Sequence, residues 1–164
     1  MSAIKRQTKI TAEKGKQELF ITREFDAPKE MVFKAFTNPK LLMQWLGPRD
    51  LKLKIDFMHC KTGGSYRYIN YDEKGNEFCF NGVIHEVSAP DRIIQTFEYE
   101  GLPERGHVSL DTTLFESLPN ERTKVTIQSI FKSSADRDNM IKSGMERGVV
   151  DSHNRLDELF AKGI

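Results

Sequence analysis

The side chains best suited to chemistry are scattered. His59, His85, His107 and His153 show none of the HxH, HExxH or Cys-His spacings that gather metal ligands, so the sequence predicts neither metal nor cofactor. Cys60 and Cys79 form no CxxC pair, and with no export signal in the chain both are expected as reduced thiols. No GxSxG, P-loop or dinucleotide glycine pattern occurs. Gly63 and Gly64 precede a strand-like run, so they read as a turn, not a phosphate cradle. Glu86, Glu98 and Asp111 fall on the polar side of alternating segments and are expected on outward faces, which argues against a buried catalytic carboxylate there. Ser152 and His153 remain, adjacent at the apolar arc of a C-terminal helix, as groups able to meet a ligand's polar atom or exchange a proton.

The aromatic residues carry a stronger signal. Trp45, Phe57, Tyr66, Tyr68, Phe80, Phe97 and Tyr99 are spread over one short helix and several strands, and alternation places many of them on a single face. Together they exceed what a thin layer between a sheet and a helix needs. With Leu110, Met145, Gly148, Val149, Ser152 and His153 they make the candidate lining of a pocket. Such a pocket is mostly apolar, with phenolic hydroxyls and Ser152 as polar anchors, and suits a flat aromatic or lipid-like molecule. The plainer reading, that these residues simply form the core, stands beside it.

The elements that must position them are legible from period. Residues 133–161 place Ile141, Met145, Gly148, Val149, Ser152, Leu156, Leu159 and Phe160 within one arc at helical spacing, which predicts one long amphipathic helix. Ser133 and Asp136 have capping-box spacing at its start, and Lys162-Gly163 mark its end. Gly144 and Gly148 lie one turn apart on it. Glycine costs up to about 1 kcal/mol relative to alanine inside a helix, so the pair suggests close approach or empty space.

Upstream, residues 19–25 alternate as a strand, and Asp26-Ala27-Pro28 opens a helix to about residue 36. Asn38-Pro39 starts a second short helix over 40–46, which Gly47-Pro48 ends. Leu51, Leu53, Ile55 and Phe57 then alternate with polar residues. Further strands follow near 65–71, 77–87 (with Gly82 as a bulge), 92–100, 107–116 and 123–131, joined by short turns. In the strand near 107–116, Val108, Leu110, Thr112 and Leu114 make the apolar side. The class is therefore α+β: an antiparallel sheet of about six or seven strands wrapped around a long C-terminal helix, with two short helices between strands one and two. Residues 1–17 read as a polar tail or edge hairpin, and 18–164 as one domain.

Composition sets outer limits. The 164-residue chain balances 25 Lys and Arg against 24 Asp and Glu, a formal charge of +1, so no global field recruits nucleic acid. No apolar run reaches the length of a membrane span, and a cytoplasmic location without membrane insertion is expected.

Four segments, REFDAPKEMVFKAFTNPKLLMQWLGP (23–48), TGGSYRY (62–68), NGVIHEVSAPDRIIQTFEYEG (81–101) and SGMERGVVDSHNRLDELFA (143–161), arrive in an order that resembles the START/SRPBCC superfamily. This is the helix-grip fold typified by the major birch pollen allergen. The branch most resembled is homologous to the activator of the heat-shock-protein ATPase. The resemblance implies a cavity between sheet and long helix that holds a small hydrophobic ligand, lipid-like, polyketide or flavonoid-like. It also implies two alternatives: a chaperone protein as partner of an activator-like module, or an aromatase/cyclase-type enzyme.

Overall fold

A computed structural model describes residues 7–164; residues 1–6 of the polar N-terminal segment lie outside the described residues. Period-two segments become strands: β1 (Lys9–Thr11), β2 (Glu18–Phe25), β3 (Lys52–Met58), β4 (Ser65–Tyr71), β5 (Glu77–Ser88), β6 (Arg92–Tyr99), β7 (Val108–Leu118) and β8 (Arg122–Ile130). Among the described residues they number eight, above the six or seven expected, because Lys9–Thr11 adds a short edge strand against β2. All pair antiparallel in one sheet, in the order β1-β2-β8-β7-β6-β5-β4-β3. The chain is α+β with the curved sheet and C-terminal helix of a helix-grip fold.

Two short helices, α1 (Lys29–Thr37) and α2 (Pro39–Leu42), lie between β2 and β3. Asn38 separates them: its side-chain oxygen accepts from the backbone N–H of Lys40 at 2.9 Å, capping α2, whose first residue is Pro39. The second helix is shorter than its sequence suggests, and Trp45 sits in the turns that follow it.

The C-terminal helix is corrected. It is two helices, α3 (Ser134–Lys142) and α4 (Met145–Ala161), parted at Gly144, whose φ of +87° is left-handed. Ser133 does cap α3, accepting from the Asp136 N–H at 3.0 Å. Nothing lies within 4 Å of where a Gly144 side chain would begin, so this glycine serves backbone conformation rather than close approach.

The C-terminal half of α4 is sealed. Leu156, Leu159 and Phe160 join Phe25, Val32, Phe33, Trp45, Phe115 and Val125 in the larger core cluster. A smaller cluster of Leu19, Ile21 and Phe131 receives Met140, Met145 and Val149. Buried Arg23 on β2 donates to Asn154 at 3.0 Å and pairs with Asp157, fixing α4 to the sheet.

Two strands face differently from their hydrophobic alternation. In β3 the register shifts between Ile55 and Phe57; the bulge turns Phe57 outward, 38% exposed, and sets Met58 against the core instead. In β7 the inward set is Ser109, Asp111, Thr113 and Phe115, while Leu110 and Leu114 are exposed on the convex side. Gly82 is not a bulge: the β5 irregularity lies between Ile84 and Glu86.

Candidate ligand-binding concavity

Register places Tyr66 and Tyr68 of β4, Phe80 of β5, and Phe97 and Tyr99 of β6 on the concave face of the sheet. Their rings form a continuous row. Tyr66 and Tyr68 are 6.1 Å apart and 13° from parallel; Tyr68 and Phe80, 5.2 Å and 24°; Phe80 and Phe97, 5.3 Å and 24°. Tyr99 extends the row from Phe80 at 5.2 Å. Glycine makes room for its first member: a side chain on Gly82 would collide with the Thr96 carbonyl and come within 2.5 Å of the Tyr66 ring. Tyr66 Oη donates to that same carbonyl at 2.6 Å.

None of these five aromatics belongs to either core cluster. Tyr68, Phe80, Phe97 and Tyr99 face inward from interior strands yet stay only half-buried, whereas Phe25 and Leu156 are wholly sealed. Side chains that point inward and keep contact with solvent border open space.

One end of this face is polar. Asp111 pairs in register with Gln95 on β6 and Ser129 on β7's other neighbour, β8. Its carboxylate accepts from Ser109 Oγ at 3.0 Å. Burial pushes Asp111 up to about 6, against the pull of the Ser129 and Ser109 hydroxyls. Burial also raises the phenols of Tyr66 and Tyr68, with the Asp111 charge adding to both, so both stay protonated. The arrangement offers an apolar row of stacked rings with one carboxylate beside it. The expectation of an outward Asp111 is therefore corrected.

The other residues singled out by sequence fall elsewhere. Leu110, 43% exposed, lies on the opposite face of the sheet, and Phe57 also points outward. Trp45 is a core residue, its indole N–H donating to the Ala35 carbonyl at 3.0 Å. Ser152 is occupied: its Oγ accepts from the Gly47 N–H at 2.8 Å and donates to the Gly148 carbonyl at 2.7 Å. His153 Nδ1 lies 2.8 Å from Thr8 Oγ1, and the ring meets Phe25 edge-on. Burial, then the Arg23 charge, lowers His153 to about 3, so it is neutral. Both are fastenings of α4. Met145, Gly148 and Val149 remain half-buried on its first turns, Met145 and Val149 against the smaller cluster and Gly148 where an added Cβ would meet Pro48 at 3.7 Å.

Residues 26–161 match the family described as Activator of Hsp90 ATPase homolog 1-like protein. The chain belongs to this family. The activator-like family lies in the START/SRPBCC superfamily. Solved structures agree in fold. A Rhodobacter sphaeroides protein, 22% identical, superposes with a TM-score of 0.85 over 95% of this chain and 99% of its own. Protein Ms6760 of Mycobacterium smegmatis, 20% identical, gives 0.83 over 96% and 99%. A Staphylococcus epidermidis protein, 26% identical, gives 0.77 over 94% and 95%. No curated protein matched the chain. Among the described residues no helix is long and apolar enough to cross a membrane.

Proposed function

We propose that residues 18–164 act as one cytoplasmic domain that binds a small hydrophobic molecule, without covalent chemistry, between the concave face of β4–β7 and the helices. The row of near-parallel rings outside both core clusters supports this most directly. An apolar row of that length suits a flat, apolar ligand, and the Asp111 end orients its polar group. Calorimetric titration with flat aromatic and lipid-like compounds tests the reading. Micromolar binding that Phe80→Ala and Tyr68→Ala each weaken by about tenfold supports it. A panel that produces no heat and no spectral shift overturns it.

The family description favours a second reading, an activator-like contact with a chaperone. Stimulation of a purified chaperone's ATPase at saturating protein would establish it, and an unchanged rate would end it.

A further inference from the structure

Asp111 is a carboxylate without a countercharge. It sits inside the sheet's concavity, accepting from Ser109 Oγ at 3.0 Å, with Ser129 as its cross-strand neighbour. Among the described residues no Lys, Arg or His forms an ion pair with it. Basic groups on the neighbouring elements are committed elsewhere: His107, just before β7, is paired with Asp136 at 3.0 Å. Arg137 of α3 donates to the Glu18 carbonyl and pairs with Asp138. Arg23 of β2 is held by Asp157 and Asn154, and His153 of α4 is neutral against Thr8. The titratable groups acting on Asp111 from across the concavity are the Tyr66 and Tyr68 phenols, which carry no charge.

Burying a carboxylate with only hydroxyl donors is costly, and a cation arriving with the ligand offsets that cost. An uncompensated carboxylate also repels an anionic head group such as a fatty-acid carboxylate. We propose that the concavity selects a flat aromatic molecule bearing a protonated amine, its rings on the Tyr68–Phe80–Phe97 row and its ammonium at Asp111. This rests on the ligand-binding reading above and names the ligand class.

The test compares three matched probes on the full chain: 2-naphthylmethylamine, neutral 2-naphthylmethanol and anionic 2-naphthoate. At about pH 7.5 the amine is expected to bind about tenfold or more tighter than the alcohol, and the naphthoate weakest of all. Asp111→Asn should remove the amine's advantage and leave the alcohol within about twofold. In the wild-type protein, acidification to about pH 5 should weaken the amine alone, because the carboxylate protonates while the amine stays charged. This arm decides the matter without the variant if Asp111→Asn fails to fold. An alcohol that binds as tightly as the amine, or an amine preference that survives both Asp111→Asn and acidification, overturns the proposal while leaving ligand binding intact. If none of the three probes binds, ligand binding fails and the amine proposal fails with it.

Discussion

Gly82 holds open the space that the Tyr66 ring occupies: a Cβ there would stand 2.5 Å from the ring and collide with the Thr96 carbonyl that the Tyr66 hydroxyl bonds. One missing side chain on β5 thus sets the angle at which the aromatic row begins on β4. Neither contact yields cheaply, since one is backbone and the other a sealed ring. Gly82→Ala is expected to destabilise the fold by about 1–3 kcal/mol and to displace Tyr66. Urea denaturation and the Tyr66 ring chemical shifts check both effects.

The two glycines of the C-terminal helices should respond with opposite sign. Gly144→Ala forces an L-residue into the left-handed region with no clash to blame, and is expected to cost about 1–2 kcal/mol. Gly148 lies within α4, and an added Cβ would meet Pro48 at an ordinary 3.7 Å. Gly148→Ala should therefore gain about 0.5–1 kcal/mol. Urea midpoints at constant m-value measure the difference.

Asp111 and His153 act in opposition on acid stability. The Asp111 carboxyl is raised to about 6 by burial, so its contribution is complete below about pH 4 and is lost as pH rises through about 6. His153 is held to about 3, so its contribution is complete above about pH 6.5 and is lost as pH falls toward about 3. Asp111→Asn removes the first alone. The variant should be more stable at neutral pH by up to about 3 kcal/mol, and its stability should rise more steeply than wild type between about pH 4 and 6.5. Denaturation midpoints across that range report the change. A functional group that costs stability in the free protein is a common trade.

Ser152→Ala tests a fastening. It leaves the buried Gly47 N–H without its acceptor and should cost about 1–3 kcal/mol. Amide exchange at Gly47 should accelerate, while affinity for a concavity ligand changes by less than about twofold. A large loss of affinity with unchanged stability would return Ser152 to the ligand.

Most of the fold was legible because period and punctuation agreed: the strands of residues 19–25 and 65–71, the Asn38-Pro39 break and the Ser133 cap all stand where the sequence places them. The candidate concavity was half legible. Tyr66, Tyr68, Phe80 and Phe97 sit on the expected face because their strands obey simple alternation. The β7 strand misleads, since its apolar side, Leu110 and Leu114, faces outward and its inner side carries Ser109, Asp111 and Thr113. A strand that borders open space is freed from the rule that the apolar face turns inward, and a one-residue phase error then exchanges every side chain. The only local hint was Phe115, one residue beyond Leu114 and in phase with Asp111. The break at Gly144 was hidden because the amphipathic period runs unbroken through it. The Phe57 flip depends on a bulge that no residue type announces.

Isotope-filtered NOE spectroscopy on the protein with bound 2-naphthylmethylamine locates the ligand on one face of the sheet or the other. Contacts from the naphthyl protons to the rings of Tyr68, Phe80, Phe97 and Tyr99 are the expected result. Contacts confined to Val83, Leu110 and Leu114 on the convex face would contradict it.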